Sequence, residues 1–274
     1  SMVHNTSAKA ALDIAVHDLF GQKYNLSLYR FFGGLRPRIT SDLTISLGSP
    51  DQMVQDAQKA IKAGYTNLKL KVGVDTALDI QRVHAIRQAA GPDITIRLDA
   101  NQGWKPKEAV RTIHRMEDAG LDIELIEQPV AAADIEGLKF VTDHVDTPIM
   151  ADESAFSPND VSHLLATRAC DLINIKLMKA GGLGPASRIA AMAQASGIDC
   201  MMGCMLESKI GITAAASLSA GNPAIVINDL DAADLMADDP IAGGISYDKN
   251  ELILPEAPGL GITGVTGWQE WGPR

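Results

Sequence analysis

The sequence predicts a (β/α)-barrel of TIM type, and three observations support this prediction. Eight short runs, most of them containing β-branched residues, recur at intervals of roughly 23–29 residues, close to the ~30 residues per unit of an eight-fold barrel. Helical stretches separate the runs, so strands and helices alternate and the strands are expected to pair in parallel. The chain has 274 residues, which suits one barrel with small additions.

The eight predicted strands are short and mainly apolar, and most of them end in a polar or charged residue. They are Leu43–Leu47, Asn67–Lys71, Thr95–Asp99, Ile123–Glu127, Pro148–Asp152, Leu172–Lys176, Asp199–Met202 and Ile225–Asp229. Both faces of a parallel barrel strand are covered, which accounts for the apolar character of these runs.

The helices between the strands carry start and stop signals. Ser49 precedes Pro50, so an N-cap serine is followed by a proline in the first turn, and Gly64 ends this helix. Ser157 and Pro158 repeat the start signal. These signals place helices after the first and the fifth strand.

The barrel is predicted to be flanked by two smaller segments. Residues 1–39 are interpreted as a linker helix, which runs from Asn5 to Phe20 and has Ala11, Ile14, Ala15 and Leu19 on one face. Residues 40–240 form the barrel and carry the catalytic site. Residues 241–274 are rich in glycine and proline and are expected to form an irregular tail with two short strands.

Composition and charge exclude several classes of protein. The formal net charge is −10 and no basic stripe carries interleaved aromatic residues, so nucleic acid is not an expected partner. No apolar run approaches the ~20 residues that span a bilayer, so no membrane partner is expected. The three cysteines lack a paired metal-binding spacing and are predicted to be free thiols, as in a cytoplasmic protein. None of the six histidines ends a predicted strand, which disfavours a histidine-ligated zinc hydrolase.

Three acidic residues close consecutive predicted strands. Asp99, Glu127 and Asp152 end the third, fourth and fifth runs. Catalytic groups of such barrels lie at the carboxyl ends of the strands, so the three carboxylates could converge on one ion. A site made only of oxygen ligands favours a hard cation, and Mg²⁺ is the one expected. The alternative is that each acid merely caps the following helix.

Lysines occupy two strands that face each other across the predicted barrel. Lys69 and Lys71 lie two residues apart on the second strand and therefore share a face, whereas Lys176 ends the sixth strand. In a closed eight-stranded barrel these strands are opposed, so Lys71 and Lys176 would approach a substrate from opposite sides. The alternative is that the lysines of the second strand point outward between helices.

Two further acids follow the eighth strand. Asp229 and Asp231 could both reach the barrel mouth and bind an ammonium group. The alternative is a cluster of acids that begins the next helix.

Five ordered motifs resemble the muconate-lactonizing subgroup of the enolase superfamily. They are Lys-Leu-Lys at 69–71, Asp-Ala-Asn-Gln at 99–102, Glu-Gln-Pro at 127–129, Asp-Glu-Ser at 152–154 and Asn-Ile-Lys-Leu at 174–177. Within that subgroup Asp-Leu-Asp at 229–231 is similar to the Asp-x-Asp of dipeptide epimerases of the L-Ala-D/L-Glu type, which holds the α-ammonium group of the substrate. The segment 203–208 is similar as well.

The resemblance implies the modified barrel of the enolase superfamily and a set of residue roles. It implies that Asp99, Glu127 and Asp152 bind Mg²⁺, that Lys71 and Lys176 are the acid/base pair, and that Lys69 supports Lys71 or stabilises charge. Residues implied to contact the substrate are Lys69, Asn101, Met205, Glu207, Asp229 and Asp231.

The activity implied by the resemblance is epimerisation of a dipeptide. One lysine would remove the α-proton to give an enediolate, and the other would return a proton on the opposite face. Cycloisomerisation, o-succinylbenzoate synthesis and N-acylamino acid racemisation remain alternatives, as does an inactive barrel that acts as a binding subunit.

Members of the family normally begin with a capping domain, which this sequence is expected to lack, and homo-oligomers are possible.

Overall fold

The computed structural model describes residues 4–267, and its centre is one eight-stranded parallel sheet that curves into a nearly closed barrel. The sheet order follows the chain, so every strand pairs with its sequence neighbours. The barrel strands are β2 (Leu43–Ile45), β3 (Asn67–Lys71), β4 (Thr95–Asp99), β5 (Ile123–Glu127), β6 (Ile149–Ala151), β7 (Leu172–Lys176), β8 (Asp199–Gly203) and β9 (Ile225–Asp229). The predicted barrel fold is thereby confirmed.

Helices connect the barrel strands and cover the sheet from outside, and two further helices precede the first barrel strand. They are α1 (Thr6–Lys23), α2 (Leu28–Phe31), α3 (Pro50–Ala63), α4 (Thr76–Ala90), α5 (Pro106–Asp118), α6 (Ile135–Thr142), α7 (Pro158–Thr167), α8 (Leu177–Ala180), α9 (Leu183–Ala195) and α10 (Lys209–Gly221). The predicted caps are confirmed, since the side chains of Ser49 and Ser157 accept from backbone N–H groups in the first turns of α3 and α7. In the described part of the chain, no helix has the length and apolarity needed to cross a bilayer.

Two apolar layers position the site. The layer between the sheet and the helices forms the main core of the molecule. Inside the barrel, Leu125, Met150 and Met201 form a separate small cluster. All three are at most 1% exposed. Since inward-facing residues two positions further along β5, β6 and β8 lie one layer higher, this cluster forms a floor beneath the carboxyl ends of the strands.

The barrel closes between its first and last strands through a few hydrogen bonds. The backbone N–H of Asp42 donates to the carbonyl of Asn228 at 3.1 Å. The N–H of Leu230 donates to Ser41 Oγ at 2.8 Å. These contacts make a seam that is thinner than the regular ladders between the other strands.

The tail contains more regular structure than the sequence predicts. Within residues 241–267 there are four short strands, β10 (Ile241–Gly243), β11 (Ser246–Asp248), β12 (Glu251–Ile253) and β13 (Ile262–Val265), where two were expected for the tail. They pair antiparallel, β10 with β13 and β11 with β12, and β12 also pairs with β1 (Arg38–Thr40). The final residues of the predicted tail, 268–274, lie outside the described residues.

The first helix buries a different face from the one predicted. Of the four residues expected on its apolar face, only Ile14 is buried, and Leu19 is 64% exposed. The helix instead packs through Ala10, Ile14 and Gly21. Polar anchors fix this orientation, because Asp13 Oδ1 accepts from the N–H of Leu183 at 2.6 Å.

Candidate active site

A cavity of about 340 Å³ opens at the carboxyl ends of the barrel strands. Lys69 and Lys71 line it from β3, and Lys176 lines it from β7. Three strands separate β3 from β7 in either direction around the sheet, so these lysines stand on opposite walls. The side chains of Lys69 and Lys176 are 3% and 8% exposed, whereas that of Lys71 is 31% exposed.

Three buried carboxylates lie beside these lysines. Asp99 and Glu127 are the last residues of β4 and β5, and Asp152 follows β6 directly. Asp99 and Glu127 are fully buried, and Asp152 is 2% exposed. Only Asp152 contributes to the cavity lining, so the other two lie beneath it. Buried carboxylates of this kind need a compensating charge.

In this structure the compensating charges are lysine ammonium groups. Lys71 Nζ donates to Asp99 Oδ2 at 2.6 Å. Lys69 Nζ is 3.3 Å from Glu127 Oε2 and 3.4 Å from Asp99 Oδ2, and so lies between two of the acids. Lys176 Nζ donates to Asp152 Oδ2 at 2.7 Å.

The ionisation of these groups reflects burial and crowding. Burial raises the pKa of Glu127 to about 8, and the nearby Asp99 carboxylate adds to the rise. Burial opposes the charged form of Lys69, yet its carboxylate neighbours hold its pKa well above the usual value. Burial likewise opposes the charge on Lys176, but Asp152 and then Glu127 raise its pKa. Both lysines therefore stay protonated while these carboxylates are ionised.

The donor chemistry of the three acids fits Mg²⁺. They supply only oxygen ligands, and the pKa of Glu127 is raised by burial first and by the neighbouring Asp99 carboxylate second. As they stand, however, no three His, Cys, Asp or Glu side chains within residues 4–267 are arranged to hold a metal ion. Each acid is bonded to a lysine instead, so a cation would have to take the place of ammonium contacts.

A second group of acids lines the other end of the cavity. Asp229 accepts a short hydrogen bond from Lys69, while Asp231 Oδ2 accepts from the N–H of Thr44 at 2.8 Å. Burial raises the pKa of Asp231, and the neighbouring Asp229 carboxylate adds to this. For Asp229, burial is outweighed by the ammonium of Lys69, which lowers its pKa. A ligand cation near Asp231 would relieve this crowding.

Of the other residues predicted to contact the substrate, two line the cavity and one does not. Asn101 lines the cavity and accepts from Lys71 Nζ at 2.8 Å through Oδ1. Met205 also lines the cavity and is 43% exposed. Glu207 does not line it. Its Oε1 accepts from the N–H of Met205 at 3.1 Å, and its carboxylate borders a neighbouring apolar cavity beside Ile14 and Gly211. The predicted contact of Glu207 with the substrate therefore lacks geometric support.

Several residues of the site carried no recognised signal in the sequence. Asn174 Nδ2 donates to Glu127 Oε1 at 2.7 Å, and Gln128 Oε1 accepts from the N–H of Asp152 at 2.9 Å. Lys179, on α8, bonds to Asp152. Asn174 and Gln128 lie inside motifs quoted above and Lys179 lies two residues beyond one, but residue spacing alone does not indicate what each side chain touches.

The cysteines are free, as predicted. Cys170 and Cys200 are buried, whereas Cys204 is partly buried and lines the cavity. Its thiol lies 3.9 Å from Asp231 Oδ1.

Comparison with known proteins identifies close relatives. A family profile described as "Enolase C-terminal domain-like" matches residues 52–265. An L-Ala-D/L-Glu epimerase of Clostridium acetobutylicum is 52% identical over 264 residues, which are 96% of this chain and 74% of that protein. A hydrophobic dipeptide epimerase of Enterococcus faecalis is 48% identical over 94% of this chain and 73% of its own length.

Solved structures show the same relationship. A substrate-liganded complex of the L-Ala-D/L-Glu epimerase from Bacillus subtilis superimposes with a TM-score of 0.96 at 50% identity, over 97% of this chain and 74% of that one. The dipeptide epimerase from Enterococcus faecalis complexed with Mg and the dipeptide L-Leu-L-Tyr gives a TM-score of 0.93 at 47% identity, over 96% of this chain and 74% of that one.

Proposed function

Because the chain belongs to the enolase superfamily, within the mandelate racemase and muconate-lactonizing group, we propose that it is a Mg²⁺-dependent dipeptide epimerase. Its relatives are named epimerases and racemases, which are isomerases. The observation that carries the proposal is the placement of Lys71 and Lys176 on opposite walls of one cavity that also contains Asp229 and Asp231. Inversion at a carbon atom requires proton transfer on both of its faces, and this pair of lysines supplies one group for each.

In the proposed reaction, the two lysines exchange roles with the direction of turnover. Both are ion-paired in this structure, so each holds its proton at Nζ. The lysine that faces the leaving α-proton must first become neutral in order to accept it, and the opposite ammonium then donates its proton to the other face. When held by Asp99, Glu127 and Asp152, Mg²⁺ would neutralise the negative charge that develops on the substrate carboxylate.

Lys69 has a different role from its neighbour on the same strand. It lies among Asp99, Glu127 and Asp229, which raise its pKa although burial opposes its charge. Among the described residues Lys71 and Lys176 each form an ion pair with one carboxylate, whereas Lys69 would have to give up three ion pairs to act as a base. We therefore assign Lys69 to charge stabilisation beside Lys71 and not to proton abstraction.

The two acids after β9 are proposed to recognise the ammonium group of the dipeptide. Asp231 lines the cavity and is 5% exposed, and burial raises its pKa. A bound ammonium group would place a positive charge beside this carboxylate. Because substrates of the alternative reactions have no free ammonium group, Asp229 and Asp231 favour a dipeptide as the substrate.

The barrel at 40–240 is proposed to carry the whole catalytic apparatus, and segments 1–39 and 241–274 to serve as a linker helix and as a surface for a capping domain. Exposed apolar side chains at the barrel mouth support the proposal that a capping domain covers it. Leu206 is 89% exposed and Val74 is 74% exposed. A cover would exclude water from the cavity and restrict the substrate side chain.

Hydrogen–deuterium exchange at the substrate α-carbon tests the proposed function. The chain is incubated with L-Ala-L-Glu and MgCl₂ in D₂O, and loss of the α-proton signal is followed by NMR. Exchange together with formation of the epimer is expected. An absence of exchange with every dipeptide tried, although Mg²⁺ binds, would refute the proposal.

The variant Asp231→Asn tests ammonium recognition separately. It keeps the shape of the side chain but removes its charge, and kcat/KM for the dipeptide is expected to fall roughly 30-fold, equal to about 2 kcal/mol. An N-acetylated dipeptide, which has no ammonium group, should be affected far less. The control is Asp248→Asn, at an exposed position in β11 outside the cavity.

A further inference from the structure

Lys179 is a fully buried lysine that no part of the proposed mechanism uses. It lies on α8, three residues after Lys176, and is 1% exposed. Unlike Lys176, it does not line the cavity. A buried ammonium group without a role would be costly, so its contacts indicate its purpose.

Three hydrogen bonds of Lys179 Nζ converge on the end of β6 and on β7. It donates to the backbone carbonyl of Asp152 at 2.5 Å and to that of Asn174 at 2.9 Å. It also donates a short hydrogen bond to Asp152 Oδ1. All three donor positions of this ammonium group are therefore occupied inside the protein.

As a result, the two carboxylate oxygens of Asp152 have different partners. Oδ1 is taken by Lys179, which has no access to the cavity, whereas Oδ2 accepts from Lys176, which lines it. The backbone N–H of Asp152 donates to Gln128 Oε1 at 2.9 Å. Asp152 is thus held at its N–H, its carbonyl and one carboxylate oxygen, and Oδ2 alone meets a side chain of the cavity wall.

We propose that Lys179 is a positioning residue that commits Asp152 Oδ1 to the protein interior and presents Oδ2 to the cation. This inference rests on the proposed function, because it takes Asp152 as a ligand of Mg²⁺. Lys179 acts through Asp152 and touches neither substrate nor cation.

A competing role makes the opposite prediction. If Lys179 were only a positive charge that repels the cation, its removal would tighten Mg²⁺ binding. If it positions Asp152, its removal leaves Oδ1 without a partner and weakens Mg²⁺ binding, as with other residues that orient metal ligands.

The test is calorimetric titration of the full chain with MgCl₂ in the absence of substrate. For Lys179→Met, we expect the Kd for Mg²⁺ to rise about 10–100-fold. The control is Lys209→Met, which removes another largely buried lysine, ion-paired with Asp239 and outside the cavity. This control should bind Mg²⁺ like the parent chain. An unchanged or lower Kd in folded Lys179→Met would overturn the proposal.

A second variant covers the case in which Lys179→Met does not fold. Lys179→Gln retains N–H donors but lacks the charge, and a rise in Kd of about 10-fold is expected. An unchanged or lower Kd in this variant also overturns the proposal. The result is separable from the proposed function, which fails if the parent binds Mg²⁺ but exchanges no α-hydrogen.

Discussion

At the scale of single residues, the site is a balance between buried acids and buried amines. Asp99 and Asp152 each accept from a lysine at 2.6–2.7 Å, and Glu127 shares Lys69 with Asp99. Removal of one member of such a buried pair leaves an uncompensated charge, which is far more destabilising than loss of a surface pair. The stability of each variant must therefore be measured beside its activity.

Replacement of either catalytic lysine is expected to separate exchange from inversion. Lys71→Ala and Lys176→Ala should each lower the rate of epimerisation by about 10²–10⁴-fold, since each removes the proton donor or acceptor on one face. Each variant should still exchange the α-hydrogen of one epimer with solvent deuterium, and the two variants should favour opposite epimers. NMR of both epimers in D₂O measures this.

The control for this experiment is Lys139→Ala, which removes a surface lysine paired with Asp143. It should behave as the parent chain does. If Lys71→Ala and Lys176→Ala both retained exchange of the same epimer, the assignment of one lysine to each face would be wrong.

Glu207 gives a pH dependence of stability whose sign is fixed by its environment. Burial raises its pKa from 4.5 to about 7, and its Oε2 has no hydrogen-bond partner among the described residues. The folded chain therefore binds this proton more tightly than the unfolded chain does. The resulting stabilisation is complete below pH 4.5 and is lost as the pH rises through about 7.

Glu207→Gln should remove this dependence. Between pH 5.5 and pH 8, the free energy of unfolding of the parent is expected to fall by about 2 kcal/mol relative to the variant. Urea denaturation at the two pH values measures the difference. Glu136→Gln, at an exposed position in α6, should show a constant offset from the parent. A constant offset for Glu207→Gln as well would show that this carboxyl group titrates normally.

At the scale of secondary-structure elements, local patterns predicted the barrel but only part of the regular structure in the tail. Each barrel strand is one of the eight short runs identified in the sequence, and its partners are the runs before and after it. The tail strands are three or four residues long, and β12 pairs with β1 from the far end of the chain. Because these two strands are far apart in the sequence, no local pattern indicates that they pair, and the pairing could not be predicted.

The same distinction explains the errors at the first helix and in the site. Helical spacing placed Leu19 on the buried face of α1, but polar contacts of Asp13 orient the helix differently. In the site, residues that end strands could be identified because position on a barrel strand determines where they lie. Lys179 and Gln128 lie beyond strand ends, and their contacts depend on side-chain paths that the sequence does not specify.

The loops after β3 and β4 approach each other closely beside Lys71. A Cβ atom on Gly103 would lie 2.0 Å from the carbonyl oxygen of Gly73. In the same loop Asn101 and Gln102 have left-handed backbones, with φ of 42° and 68°. The loop that carries Asn101 therefore has no room to shift toward β3.

Gly103→Ala should push these two loops apart. We expect a loss of stability of about 1–3 kcal/mol, as for other overpacked sites, together with a lower rate of α-hydrogen exchange because Lys71 loses its bond to Asn101. Thermal unfolding and NMR exchange measure the two effects. Gly264→Ala is the control, since its Cβ would meet only Ala242 at 3.9 Å. Equal behaviour of the two variants would show that the loops separate without cost.

At the scale of the whole molecule, the seam between β2 and β9 determines whether the barrel is closed. The amide group of Asn228 holds β9 beside this seam to β1 and α10, because Nδ2 donates to the carbonyl of Thr40 at 3.0 Å and Oδ1 accepts a short hydrogen bond from Ser219. Asn228 is 5% exposed, so water cannot readily replace these partners.

Asn228→Ala is expected to destabilise the barrel by about 2–4 kcal/mol, since it leaves buried partners unsatisfied. Urea denaturation followed by circular dichroism measures the change. Asn250→Ala, which removes an amide that bonds to Thr66 Oγ1 near the surface, should change stability by less than about 0.5 kcal/mol. A loss of similar size in both variants would mean that the seam does not depend on Asn228.

The seam also has a consequence for biosynthesis. The amino end of the chain leaves the ribosome first. β2 therefore cannot pair with β9 until β9 has also emerged. Throughout that interval the growing sheet has two unpaired edges and an apolar interior open to its surroundings. Nascent chains are therefore expected to need chaperone protection until translation has passed the final barrel strand.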